Sequence, residues 1–522
     1  MSVVELRDAS IRTGGRRLLA GLDLALAPGA ALAIVGRPGS GKSLLAAALA
    51  GKLPPLAIKG VTTAARVVLL DASAPASVFA TRIEAGADLI VADEPGRALD
   101  PRAQHELLAA LQLANRDRGI ALLVLTRDFR MPLAMDMETA ILSGGRLIER
   151  GRTDRLLSHP HEAATRELAT AVRPRTRTMA RPPIGAPLLE LHGVTKRFGR
   201  NWWRWPRPAV APALSNVTLS VRRGEAAGLL GVAGAGKSLL LRLAAGLGRV
   251  SGGRIEFDRR PYHGADIPAE ARARIAFLFP DPHAAFNPDL PVGLTLTEPL
   301  RVEEQLLIEE QAEGLVEAVR VVGLAPDVLD RLPGEFGALE LQKLALARAL
   351  VGRPRLIMLD EPTARLCPVE QAEFLTLFNR VRADYGLTVL CASREFDVLR
   401  TLSDHIHVLD SGQIVEGGKP GELYENGSHP ATRTLLHPRY PEPPPPMPPA
   451  EPAVAEAEPV PVEPAPVDEP VLDDGADERP ERREVELAVD GAGDAVGGVE
   501  TAHIEPVGHS DDYRALRHVE GA

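Results

Sequence analysis

Two eight-residue stretches carry the residue types and the spacing that a bound phosphate requires. Gly231-Val232-Ala233-Gly234-Ala235-Gly236-Lys237-Ser238 fits G-x-x-x-x-G-K-[ST], and Gly36-Arg37-Pro38-Gly39-Ser40-Gly41-Lys42-Ser43 fits it a second time. Glycines at 231, 234 and 236, and at 36, 39 and 41, let consecutive backbone N–H groups curl around an anion without Cβ clashes. A helix starting behind such a loop points its positive end at the same anion. Lys237 and Lys42 would reach the β- and γ-phosphates of a nucleoside triphosphate, and the Ser238 and Ser43 hydroxyls would bind Mg²⁺.

The elements that must hold these loops are legible on either side. Ala226 to Leu230 reads as a short buried strand, and Leu239 to Leu247 as a helix. The chain repeats itself: Val4-Glu5-Leu6 resembles Leu189-Glu190-Leu191, Leu22-Asp23-Leu24 resembles Val217-Thr218-Leu219, and Pro28-Gly29-Ala30 resembles Arg223-Gly224-Glu225. Farther on, each half has an apolar strand ending in acids, Leu89-Ile90-Val91-Ala92-Asp93-Glu94 and Leu356-Ile357-Met358-Leu359-Asp360-Glu361. One such strand alone is explained by a solvent-facing acidic turn. Two, each downstream of a phosphate loop, place Asp93 and Asp360 as Mg²⁺ ligands and Glu94 and Glu361 as bases for a water beside the γ-phosphate.

In these pairs the sequence resembles the two nucleotide-binding domains of an ABC-type ATPase, over about residues 3–170 and 187–437. More narrowly it looks like the oligopeptide, dipeptide and nickel importer subclass, with two ATPase subunits fused. The narrow resemblance rests on Phe286-Asn287-Pro288, on Pro333-Gly334-Glu335-Phe336 ahead of Leu344 to Leu350, and on the endings His159-Pro160 with Thr165-Arg166 and His429-Pro430 with Thr432-Arg433. The resemblance implies an α/β P-loop NTPase fold in two copies, ATP with Mg²⁺ as ligands, and two halves that close face to face. Each nucleotide would lie between one half's loop and the other half's signature sequence.

Several positions depart from the family pattern. About 45 residues separate Ser43 from the Asp93 strand, against about 120 in the second half, so the first half is expected to lack most of the helical subdomain. The signature Ser-Gly-Gly-Gln falls on Gly337-Ala338-Leu339-Glu340, which sets a bulky side chain and a carboxylate where backbone should meet phosphate. The lid glutamine falls on Pro280, and near Asp71 or Ala72 in the first half; the switch histidine falls on Arg394 and Arg127; the dimer-loop aspartate is kept as Asp100 but becomes Cys367. Guanidinium cannot accept a hydrogen bond, so Arg127 and Arg394 either pin a γ-phosphate electrostatically or stand as surface arginines without nucleotide contact. Phe198 is placed by position to stack on the adenine. The neighbouring Trp202, Trp203 and Trp205 are equally readable as a base contact, a packing knot or a contact to a membrane partner.

Composition sets the remaining bounds. The charged fraction of 25% and hydrophobic fraction of 45% are those of a soluble globular protein, without an apolar run of transmembrane length or a signal peptide. Two cysteines, Cys367 and Cys391, suit neither a zinc site nor a disulfide framework, and a reducing cytoplasm is expected. The net charge of −10 is concentrated beyond Pro441, where about 21 acidic residues meet about 5 basic ones. The expected domains are 1–171, a truncated nucleotide-binding domain; 172–186, a linker whose arginines are either solvated or touch anionic lipid; 187–437, a second nucleotide-binding domain; and 438–522, a disordered acidic tail rich in Pro, Ala and Glu. The resemblance further implies separate permease subunits, a solute-binding protein and attachment at the inner face of the cell membrane. Nucleic acid is not an expected partner, because no long coiled coil or charged helical linker is present. Two functions stay open: a transporter's ATP-binding subunit with weakened hydrolysis, or a non-hydrolysing ATP-binding regulatory or scaffold protein.

Overall fold

The structure is a computed structural model that describes residues 2–13, 16–54, 58–63, 66–71, 86–96, 101–172, 182–198, 212–300 and 308–436. These belong to the compact unit Met1–Pro446. The expected tail, linker residues 173–181, Ala72, Asp100 and the three tryptophans lie outside the described residues.

Each half is built on two sheets. In the first half, β1 (Val4–Thr13), β2 (Arg16–Leu26) and β4 (Ile58–Thr63) form an antiparallel sheet in the order β2-β1-β4. Behind it lies a six-stranded sheet in the order β5-β6-β7-β3-β8-β9, made of β3 (Ala31–Val35), β5 (Val67–Leu70), β6 (Leu89–Asp93), β7 (Ala121–Thr126), β8 (Glu138–Ser143) and β9 (Arg146–Arg152). The second half repeats the plan. Its antiparallel sheet is β11-β10-β13-β14, from β10 (Pro187–Lys196), β11 (Leu214–Arg222), β13 (Gly252–Phe257) and β14 (Arg260–Tyr262). Its large sheet is β15-β16-β17-β12-β18-β19, from β12 (Ala226–Leu230), β15 (Ile275–Leu278), β16 (Leu356–Asp360), β17 (Thr388–Ser393), β18 (His405–Asp410) and β19 (Gln413–Gly418). The two large sheets therefore have the same strand order, parallel except at the last strand.

Burial explains the difference between the sheet types. β12 is an unbroken apolar run buried at every residue, as befits a central parallel strand covered on both faces. β11 alternates buried and exposed side chains, with one face on the core and one toward water. The core of the second half fills both sides of its large sheet, with Leu359, Val389 and Ile406 on one side and Met358, Leu390 and Leu409 on the other.

The halves differ where the sequence spacing predicted. Between β15 and β16 the second half inserts the helices Val292–Thr297, Ile308–Val321 and Ala338–Val351. Between β5 and β6 the first half has only residues 71–88, too few for a counterpart. The halves meet where helix Ala163–Val172 packs on helix Pro368–Tyr385, and Cys367 and Val369 enter a cluster with Val35, Phe129, Leu156 and Leu168.

One boundary departs from expectation. The helix after the second loop runs Lys237–Ala244 rather than from Leu239 to Leu247. Gly236, at φ 104°, turns the chain sharply enough that Lys237 already lies in the first turn. Gly246, at φ 75°, ends the helix, and the Leu247 N–H returns to the Arg242 carbonyl.

Candidate functional site

The sheet order puts both glycine-rich loops at equivalent points. β12 lies between β17 and β18, and β3 between β7 and β8. The carboxylate-bearing strands β16 and β6 lie one strand farther out, so loop, carboxylates and switch residue share the C-terminal edge of each sheet, where open α/β sheets bind ligands.

In the second half the loop closes around its own lysine. Lys237, 5% exposed, donates to the carbonyls of Gly231 at 2.7 Å and Val232 at 3.0 Å, with its Nζ 3.4 Å from Glu361 Oε1. Burial lowers its pKa, with Glu361 pulling the other way. Ser238 Oγ donates to Asp360 Oδ1 at 2.8 Å, while Asp360 Oδ2 is buried without a hydrogen-bond partner. Burial raises the pKa of both Asp360 and Glu361, opposed by the Ser238 hydrogen bond at the first and by Lys237 and Arg394 at the second. A hydroxyl beside a buried carboxylate with an unused oxygen is a hard-oxygen donor set, which fits Mg²⁺. The loop cradle is equally demanding: a Cβ on Gly231 would stand 2.5 Å from the Leu409 carbonyl oxygen, while Gly234, at φ 81°, faces open space.

The first half reproduces most of this. Lys42 donates to the carbonyls of Gly36 at 2.6 Å and Arg37 at 2.9 Å, and burial lowers its pKa to about 8. A Cβ on Gly36 would meet the Leu142 carbonyl oxygen at 2.3 Å; Gly39 and Gly41 have φ of 75° and 104°. Asp93 Oδ1 is buried without a hydrogen-bond partner, yet Ser43 is exposed, so the serine–aspartate contact belongs to the second half among the described residues. Glu94 and Glu361 share a positive φ, 51° and 47°, which a non-glycine residue adopts only under constraint.

Three features were not legible from the residues. Arg127 and Arg394 are each paired with the glutamate of their own half, Glu94 and Glu361, a contact that neither sequence alternative named. Cys367 of the second half is 2% exposed, in a cluster with Val35 and Phe129 of the first half. Gly337-Ala338-Leu339-Glu340 is the N-terminus of helix Ala338–Val351, where Glu340 Oε2 accepts the Gly337 N–H at 2.9 Å and Leu339 packs on the core. The x-x-x-Glu spacing of a capping box was the available signal for the last. Phe198 is 56% exposed with Lys196 Nζ 5.3 Å from its ring centroid.

The importer-type endings have a shared physical basis. Glu149 accepts the N–H groups of His161 and Glu162, and Glu416 accepts those of Ser428 and His429, so one carboxylate from β9 or β19 fixes each turn. Among the described residues no helix is long and apolar enough to cross a membrane.

Known proteins carry the same pattern. The family described as ABC transporter matches residues 19–75 and 214–364. The chain is 31% identical over 368 residues to an uncharacterized ABC transporter ATP-binding protein, YejF, of Escherichia coli K12, covering 67% of this chain and 66% of that one. It is 36% identical over 251 residues to the probable D,D-dipeptide transport ATP-binding protein DdpF of the same organism, 48% of this chain and 78% of the relative. To the oligopeptide transport ATP-binding protein OppF of Salmonella typhimurium it is 33% identical over 256 residues, 48% and 76%. The chain spans 66% and 64% of the length of the two YejF relatives. With the same strand order in both large sheets and a glycine-rich loop at the same point of each, the chain belongs to the family of ABC transporter ATP-binding proteins, homologous to the peptide-importer ATPases.

Proposed function

We propose that this chain is the fused ATP-binding subunit of an importer for peptide-like or nickel-type solutes, binding Mg-ATP at two loops and hydrolysing it slowly. The domains are 1–171 and 187–437, joined by 172–186 and followed by the tail 438–522. They dock at the cytoplasmic face of the membrane on separate permease chains served by a solute-binding protein. The observation that carries this reading is the Ser238–Asp360 contact of 2.8 Å beside the buried Lys237, at the edge of a sheet whose strand order recurs around Lys42.

Gly231, Gly234, Gly236 and Lys237, with Gly36, Gly39, Gly41 and Lys42, would hold the triphosphate, and Phe198 the base at the second site. Ser238 with Asp360, and Ser43 with Asp93, would hold Mg²⁺, which when bound neutralises charge on the β- and γ-phosphate oxygens. Glu361 and Glu94 would accept a proton from the water whose oxygen bonds to the γ-phosphorus. The bond from that phosphorus to the β–γ bridging oxygen then breaks, and ADP leaves with the oxygen. The second site is the preferred one, because its serine and aspartate are already in contact. Hydrolysis is slow because the helix N-terminus that should face a phosphate across the interface is capped by Glu340.

The same capping supports a second reading, an ATP-binding regulatory or scaffold protein that does not hydrolyse. Mg-ATP binding and phosphate release by the purified chain, beside Lys237→Ala and Glu361→Gln, separate the two. Slow release abolished by Glu361→Gln supports the transporter subunit; binding without release supports the scaffold. Binding untouched by Lys237→Ala removes the second loop from the nucleotide site. Turnover at ordinary transporter rates overturns the weakened-hydrolysis reading.

A further inference from the structure

The carboxylates that should activate water are each held by an arginine of their own half. Arg127 Nε donates to Glu94 Oε1 at 2.8 Å, with side-chain exposures of 25% and 14%. Arg394 Nε lies 3.4 Å from Glu361 Oε1, and its backbone N–H donates to Glu361 Oε2 at 3.2 Å, so both oxygens of Glu361 are engaged. The pairing follows from topology. β6 and β7 are adjacent parallel strands, as are β16 and β17, and the residue after each second strand reaches the residue after the first. The Glu94 and Glu361 N–H groups are fixed on the carbonyls of Leu125 and Ala392, at 2.8 and 2.9 Å, which holds each glutamate in its positive-φ turn.

A carboxylate that accepts a proton from water must present a lone pair to that water. A guanidinium is permanently charged and only donates, so it competes for that lone pair and cannot itself relay the proton. Lys237, the other cation on Glu361, has a second destination in the triphosphate, whereas Arg394 is also tied through its backbone. We propose that Arg127 and Arg394 are positioning residues that clamp the Glu94 and Glu361 carboxylates as ion pairs, and that water is activated only when the clamp opens. This rests on the nucleotide-binding reading above.

The test uses the full chain with Arg394→Ala and Arg394→Gln, alone and combined with Glu361→Gln. A fluorescent ATP analogue reads binding, phosphate release reads turnover, and thermal melting identifies folded variants; Arg394→Lys serves if the shorter side chains unfold the protein. The clamp predicts that kcat rises about fivefold or more while half-saturating Mg-ATP stays within about twofold, and that the gain vanishes with Glu361→Gln. A purely structural arginine would not produce that dependence on Glu361. A fall in kcat in a folded variant overturns the clamp and makes the arginine a stabiliser of the γ-phosphate; an unchanged kcat with intact binding overturns the clamp alone. Absence of nucleotide binding in wild type and variants overturns the site reading, and the clamp with it.

Discussion

Replacing Arg382 by methionine tests what holds the second phosphate loop in place. Arg382 lies on helix Pro368–Tyr385 with its side chain 1% exposed, and its Nη2 donates to Asp404 Oδ2 at 2.6 Å and to the Gly224 carbonyl at 2.7 Å. The same Asp404 oxygen accepts the N–H of Ala226 at 2.9 Å, the first residue of β12 and hence of the strand that delivers the loop. One buried guanidinium therefore joins the helix that follows Cys367 to the root of the proposed nucleotide site. Methionine keeps most of the apolar stem and removes the charge, which strands a carboxylate that is 6% exposed. Breaking a buried pair in this way costs about 3–5 kcal/mol, far more than a surface pair, because the remaining charge has lost its compensation. At about 2–4 °C per kcal/mol for a domain of this size, Tm should fall by roughly 6–20 °C. Circular dichroism of the full chain measures it, and adding Asp404→Asn should recover more than half of the loss, since the amide oxygen still accepts from Ala226 without carrying charge. A fall below about 2 °C, or strictly additive losses in the double variant, would show the pair to be hydrated in solution and would refute the reasoning.

Ser238→Ala removes the hydroxyl bonded to Asp360 and should raise the Mg²⁺ concentration for half-maximal nucleotide binding by about tenfold, read by titrating the metal at fixed ATP. Gly231→Ala puts a Cβ 2.5 Å from a backbone oxygen that has no rotamer to yield, so nucleotide binding should be lost while Gly234→Ala, with open space around it, binds more weakly through backbone strain alone. Glu416 has its pKa lowered to about 2 by the Ser428 N–H first, then by Thr432 and His429. A carboxylate depressed in the folded state stabilises above its ordinary value of 4.5 and loses that contribution as pH falls toward 2, so wild type and Glu416→Gln should differ in Tm at pH 6 and converge by about pH 2.

The loops, the two acidic strands and the missing helices were legible because each is written in consecutive residues: glycine spacing, an apolar run, a count of residues between two motifs. What escaped depends on which strands become neighbours. Arg394 is 33 residues from Glu361 and meets it only because β16 and β17 pair in parallel, which no run of consecutive residues records. Cys367 carried no signal that it would leave its own half and pack beside Val35 and Phe129. Nothing in the residues beside Arg382 marks it as buried. Only the 22-residue return of the chain to Asp404 makes it a buried cation.

On the proposed reading as an ATPase, one weak point is a helix terminus. The first turn of any helix leaves N–H groups without intrahelical partners and carries a partial positive charge, which is what a phosphate facing helix Ala338–Val351 would use. Here one of those groups is taken from within, because Glu340 accepts the Gly337 N–H at 2.9 Å. A phosphate brought to within about 4 Å of that carboxylate would face roughly 4 kcal/mol of repulsion per unit charge at an effective dielectric of about 20. The same carboxylate that stabilises the free helix thus opposes the approach that closure needs. In the proposed site, capture would fall to other groups, Lys237 and Lys42 in their loops and Asp360 and Asp93 on their strands. The proposed site would then separate nucleotide binding from closure, and Glu340→Gln should raise turnover without tightening the initial binding of Mg-ATP.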